Sequence, residues 1–231
     1  MQSADSRPVK VLILYYSFSA QTSGLVHRLG AGLEAQGVHL VYERLQPLTP
    51  LKFPIGTVLS TLFMMFITFL RVRISIQPLS SKCWEHYDLI VLAGPTWSYN
   101  PSGPVLSLFD RDGLKLFAGQ QVLPLISCRG YWRMHWWGLR RLLERCGAKV
   151  VNKMIFVHPN KEPWRTIGVF LKLAGRVPER SRWLCRHYPR YGHSRGQQET
   201  AFAFGSAIGQ ALKGGTSLAD ISFVPGRTGL L

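Results

Sequence analysis

Three hydroxyl side chains, Ser17, Ser19 and Thr22, follow directly on an apolar run, Val9–Tyr16. They stand just before a stretch with Leu25, Val26 and Leu29 at helical spacing. That order reads as strand, short loop and helix start. Backbone N–H groups and the positive end of a helix dipole would converge on the loop, and the hydroxyls add donors. Ser17-Phe18-Ser19-Ala20-Gln21-Thr22 is therefore a candidate anion site, with simple capping of the helix as the alternative. The chain has no G-x-G-x-x-G and no G-K-S/T, so neither the dinucleotide fingerprint nor the Walker loop applies.

Two further segments carry usable side chains. In Gly94–Pro101, Trp97 and Tyr99 offer flat apolar faces and Asn100 a polar group. In Ser127–Trp132, Ser127 and Arg129 offer donors. Trp97 could equally be a packed aromatic. Cys128 has only Arg129 nearby to lower its pKa and reads as a packed small residue rather than a nucleophile. His27 and His135 read as solvated or hydrogen-bonded helix residues, and no Ser-His-Asp spacing is present. The four cysteines include no CxxC, and Cys83/His86 alone does not make a zinc site. MQSADSRP has no apolar leader core, so free thiols in a reducing cytoplasm are expected.

These segments need elements to position them. Apolar runs predict strands over Val9–Tyr16, Val38–Arg44, Tyr87–Ala93, Gln121–Ser127 and Lys149–His158. Helices are predicted over Thr22–Gln36, Pro101–Phe109, Trp132–Cys146 and Gly196–Leu212. Alternating strands and helices imply a parallel sheet covered on both faces. Ligands in such sheets sit beyond the C-terminal strand ends, where all three segments lie.

The first segment resembles the phosphate loop T/S-x-T-G-N-T of the flavodoxin-like family, with Ala20 in place of glycine and Gln21 in place of asparagine. GPTWSYNPSGP resembles that family's flavin loop, and SCRGYW stands where the family wraps the flavin from the other side. The likeness covers roughly Val9–Val157 plus the closing helix. It implies an α/β three-layer sandwich with a five-stranded parallel sheet in the order 2-1-3-4-5. It also implies FMN bound by Ser17, Ser19, Ala20, Gln21, Thr22, Pro95, Thr96, Trp97, Ser98, Tyr99, Asn100, Ser127, Cys128, Arg129, Gly130 and Trp132. Arg129 is the candidate cation beside the ring's polar edge, where it would stabilise the reduced flavin.

One domain over residues 1–231 is expected, with an apolar insert at 50–80 and an arginine-rich insert at 159–195. Phe53–Leu70, eighteen residues between Lys52 and Arg71, is at the lower limit for spanning a bilayer. It lies between two strands of one sheet, so an interfacial segment or a cover over the site is expected instead. The second insert carries many arginines against only Glu162 and Glu179, around an amphipathic PWRTIGVFLKLAG. Much of the net charge of +16 is local to it. Contact with an anionic membrane surface, or with an acidic carrier protein, is weighed against a merely solvated basic face. Arginines interleaved with Trp183, Tyr188 and Tyr191 could also stack on bases, but no recognised nucleic-acid-binding fold accompanies them.

Ordinary electron-carrier flavodoxins are acidic, so this balance favours an enzyme over a shuttle. Within the family, the inserts and the CRxxW loop look most similar to proteins of dialkylresorcinol biosynthesis. That resemblance implies oxidation of a cyclised polyketide- or fatty-acid-derived ring. The expected function is an FMN-dependent oxidoreductase acting on a hydrophobic ring, a quinone or one being aromatised, with NAD(P)H as a candidate donor. The substrate pocket would lie under Phe53–Leu70, walled by Trp97, Tyr99, Tyr131 and Trp132. The alternative is a non-catalytic electron-transfer or membrane-binding module. Peripheral association at the inner membrane face and a homodimer through the inserts are left open.

Overall fold

The computed structural model describes residues 7–223, so the leader reading of MQSADSRP falls mostly outside the described residues. Alternation of apolar strands and half-apolar helices builds an α/β sandwich. In chain order the elements are β1 (Lys10–Tyr15), α1 (Gln21–Glu34), β2 (His39–Arg44), α2 (Val58–Phe69), β3 (Leu89–Trp97), β4 (Asn100–Pro101) and α3 (Gly103–Phe117). Then come β5 (Gln121–Cys128), α4 (Trp132–Arg145), β6 (Lys149–Val150), β7 (Met154–Val157), α5 (Trp164–Leu173) and α6 (Arg195–Gly214). The strands lie in the order β2-β1-β3-β5-β6, with β4 on β3 and β7 on β5. Every pairing is parallel except β3–β4.

The sheet therefore has seven strands, not the five anticipated, and its order differs from 2-1-3-4-5. Two local causes account for this. The predicted Lys149–His158 strand breaks at Val151–Lys153, where the Asn152 side-chain amide donates to the Leu218 and Ile221 carbonyls and anchors the C-terminal turn. The predicted loop after Ala93 is not a loop: β3 runs on to Trp97 and folds straight back as β4. The helix expected over Pro101–Phe109 also starts later and runs to Phe117. Gly113 lies within it, in the buried seam against the Cys146 sulfur.

Strand alternation sorts the core into two halves. Val11, Ile13 and Tyr15 pack with α1 and α6 on one face, and Leu12 and Leu14 pack with α3 and α4 on the other. The α1–α6 crossing is close enough that a Cβ at Gly32 or Gly205 would run into the facing backbone.

Candidate functional site

The anion loop leaves β1 and enters α1 at the C-terminal edge of the sheet. Ala20, the residue before α1, holds φ 61°, a left-handed conformation that costs an L-residue about 1 kcal/mol. That turn aims consecutive N–H groups into the loop. Among the described residues, the backbone N–H groups of Ser19, Ala20, Gln21 and Thr22 have no acceptor. The Ser17 hydroxyl accepts from the Ser23 N–H at 3.2 Å, and Ser17 borders neither of the two spaces described below. Arg44 reaches in from β2 and donates to the Ser17 carbonyl at 3.4 Å. A phosphate monoester fits this donor set: free N–H groups, a helix N-terminus and the Ser19 and Thr22 hydroxyls.

The second segment is a two-residue hairpin. Trp97 pairs with Asn100, and both intervening residues have positive φ, 41° at Ser98 and 71° at Tyr99. Asn-Gly is the usual occupant of such a turn, so Ser98-Tyr99 stores strain. The tip's contacts explain what holds it. The Ser98 hydroxyl donates to the Met65 carbonyl at 2.9 Å and meets the Thr68 hydroxyl at 2.7 Å. The Asn100 amide donates to the Phe69 carbonyl at 3.3 Å. The hairpin thus staples the C-terminal turn of α2 over the sheet edge. Tyr99 projects from the same turn against Tyr131, with ring centroids 5.4 Å apart.

Behind the cleft, two strand-end hydroxyls each rest on a buried histidine. Thr96 Oγ1 lies 2.7 Å from His135 Nδ1, and Ser127 Oγ lies 2.8 Å from His193 Nε2. Burial holds His135 down to about 3 and His193 down to about 4, so both rings are neutral. A third histidine, His158, follows β7. Burial, then His193 and Arg165, holds it down to about 4, and the Gly192 N–H donates to its Nε2 at 3.3 Å. Tyr188 stacks on this ring, in a slot that any Cβ at Gly168 would close. The Cys128 thiol donates to the Phe156 carbonyl at 3.6 Å, and burial pushes its pKa up to about 12, which excludes it as a ready nucleophile.

The two inserts meet above this edge. The Ile55 N–H at the foot of α2 donates to the Leu173 carbonyl at the end of α5, 2.8 Å away. Tyr191, from the arginine-rich insert, lies against Ser19 and Gln21 and stacks on Phe53 at 5.8 Å. Phe53 packs on Phe18, and Phe18 on Trp97, so an aromatic row crosses the mouth of the cradle. Under this roof lies a chamber of about 390 Å³, floored by Trp97, Tyr99 and Tyr131 and walled by α2 and α5. A smaller space of about 120 Å³ beside Ser19, Gln21 and Thr22 shares Trp97 and Arg129 with it, so cradle and chamber are continuous. No carboxylate lines either space among the described residues.

Ser19, Gln21, Thr22, Pro95, Thr96, Trp97, Ser127, Cys128 and Arg129 all border the smaller space. Ser98, Tyr99 and Gly130 border the chamber. Asn100 is occupied with α2, and Trp132, the half-buried first residue of α4, packs against the core beside α3 and α4 and borders neither space. Sequence reasoning overlooked Phe18, His158, Val169, Leu173 and Tyr191. Position just past a strand end is a signal that could have found His158. Phe18 stands in the hydroxyl loop itself, whereas Val169, Leu173 and Tyr191 arrive from the arginine-rich insert, whose return to the cleft no local pattern announces.

No protein-family model matches the chain, and no curated relative matches its sequence. Solved structures do resemble its backbone. A flavoprotein in complex with FMN from Lactobacillus acidophilus NCFM superposes with a TM-score of 0.50 at 21% identity, over 64% of this chain and 93% of that one. The flavodiiron protein from Giardia intestinalis superposes with a TM-score of 0.50 at 11% identity, over 89% of this chain but only 36% of its own length. At such identities the likeness concerns the backbone, and with the parallel sheet and its ligand edge it makes this a flavodoxin-like α/β fold.

Proposed function

We propose that the protein is an FMN-dependent oxidoreductase acting on a hydrophobic ring substrate. The observation that carries this reading is the continuity of a phosphate-sized cradle of free N–H groups with an aromatic-floored chamber free of carboxylates. The similarity to an FMN-bound flavoprotein supports it at the level of fold. Bound FMN would supply hydride or electron transfer. Ser19, Gln21 and Thr22 would hold its phosphate, and Trp97 offers a flat contact for its ring. Arg129, which borders both spaces, would sit beside developing negative charge and favour the reduced state. The Thr96 and Ser127 hydroxyls, backed by neutral imidazoles, could each hold a proton at the cleft wall. Helices α2 and α5 wall the chamber on two sides and line it with apolar side chains. An electron shuttle needs no apolar space beside its flavin, and the chamber next to the cradle favours an enzyme over a carrier.

For the substrate class, we infer a quinone, or a polyketide- or fatty-acid-derived ring undergoing aromatisation, with NAD(P)H as donor in the first case. The apolar chamber and the basic surface support such substrates, the latter because an acidic carrier protein or an anionic membrane at the cytoplasmic face would deliver them. The test begins with colour. FMN added to apoprotein should bind with quenched fluorescence, and Ser19→Ala with Thr22→Val should weaken binding roughly tenfold to a hundredfold. Arg129→Ala should lower the two-electron potential of bound flavin by roughly 30 mV, the equivalent of about 1.4 kcal/mol. Rapid NAD(P)H-dependent quinone turnover would mark a reductase. Flavin reduction by a cyclic enone without nucleotide would mark aromatisation. A protein that does not bind FMN sinks the proposal.

A further inference from the structure

Helix α2 is inside out. Its buried residues are threonines, Thr61 and Thr68, while Leu59 is 78% and Phe63 63% exposed and Leu62 and Phe66 stand out beside them. The threonine hydroxyls are satisfied locally, by the Thr57 carbonyl and by Met65 and Ser98, so the helix is correctly seated. Water is a poor solvent for its outer face, and a contiguous apolar patch of this kind marks an interaction site. We propose that this face seats the protein on an anionic lipid bilayer, with α2 lying in the interface plane.

Charge selects the bilayer over a second copy. No carboxylate occurs between Glu43 and Glu85. Lys52 precedes α2, and Arg71 follows it. Arg176 stands next to Gly175, which touches Gly56 at the foot of α2. In the arginine-rich insert the two acidic residues are spent internally, Glu162 on Arg165 at 3.0 Å and Glu179 on Lys172 at 2.9 Å. Arg180, Arg182 and Arg186 are exposed without an ion pair among the described residues. Two such chains packed through α2 would bring these cations together, whereas an anionic surface neutralises them. Twelve residues of helix reach about 18 Å, too short for a bilayer core of about 30 Å, and no described helix is long and apolar enough to cross a membrane. An apolar face of this kind, flanked by Lys52 and Arg71, lies in the plane of the headgroup–acyl boundary.

The seating deepens the proposed function, on which only its route of entry rests. Met64, Met65 and Phe66 of α2 line the chamber, the last two while also standing exposed at its rim. The wall of the chamber is thus the lipid-facing element, and a ring dissolved in the bilayer would enter beside it without crossing bulk water.

Co-flotation of the full chain with phosphatidylcholine vesicles containing about one third phosphatidylserine tests the seating, with no substrate present. Binding should fall at least tenfold on pure phosphatidylcholine. Leu59→Gln with Phe63→Gln, residues that line neither space, should lower it at least tenfold on anionic vesicles. FMN affinity and thermal midpoint report separately that the cleft and fold are intact. Each of Arg176→Gln and Arg182→Gln should lower partition roughly fivefold, as expected for one interfacial cation. Equal partition of wild type and the Leu59/Phe63 variant overturns the proposal. So does a dimer in light scattering that the same variant dissolves, which would make a second copy the occupant. If the protein floats but does not bind FMN, the seating stands and the proposed function falls.

Discussion

Strand β1 and helix α2 are both apolar runs, yet the fold gives them opposite surroundings. Every apolar side chain from Val11 to Tyr15 is buried between helix layers, and its neighbours are close-packed on both faces. The side chains of Val58 to Phe69 point mostly outward, and the helix is held by polar staples at its ends rather than by its apolar face. Apolar content alone therefore does not say what a segment is for. Where the fold itself consumes the surface, the run is core. Where hydrogen bonds position a helix and leave its leucines in water, the surface is not consumed by the fold.

Acidification tests the buried side of that contrast most severely. His135, His158 and His193 are held neutral in the wall of the cleft at about 3, 4 and 4, against about 6.5 when unfolded. Below 6.5 the unfolded chain binds protons that the folded chain refuses. Stability is therefore complete above that pH and is lost as pH falls toward 4. At pH 5.5 each ring costs about 1.4 kcal/mol, roughly 4 kcal/mol together, measurable as a falling urea midpoint. His135→Gln should remove one of the three protons from the slope. α2 carries no titrating group, so vesicle binding should change far less over the same range.

Truncating β1 comes next. Leu12→Ala should cost about 3 kcal/mol in urea denaturation, because the cavity it leaves lies between sheet and helices. A third change acts on the cradle. Ala20→Gly should stabilise by about 0.5 kcal/mol in thermal unfolding, since relief of the left-handed alanine outweighs the added freedom of the unfolded chain. The smallest effect is expected in α2, where Leu59→Ala should stay within about 0.5 kcal/mol of wild type. A cost near that of Leu12→Ala would break the comparison and place Leu59 in a packed interface.

Much of the sheet was legible because its strands are short, β-branched and punctuated by glycine. The junction at Ser17–Thr22 was legible for the same reason: hydroxyls between an apolar strand and an apolar-periodic helix constrain each other locally. The hairpin was not. Thr96-Trp97-Ser98-Tyr99-Asn100 contains no glycine to announce two positive φ values, and its conformation depends on carbonyls at the end of α2, some thirty residues earlier in the chain. Asn100 and Trp132 show the same limit, since residue type suggested a ligand contact and packing assigned other work.

By itself the sequence determined the α/β class, the strand–loop–helix junction at Ser17–Thr22, the positive balance and the existence of two unusual stretches between the strands. These follow from local periodicity and charge. Only the tertiary structure decided that the inserts join, that Tyr191 and Phe53 close over the cradle, and that three neutral histidines stand at or behind the cleft wall. It also decided that α2 turns its threonines inward and its leucines out. Each of these depends on contacts between residues far apart in the chain, where burial and hydrogen bonding override what a segment would prefer alone.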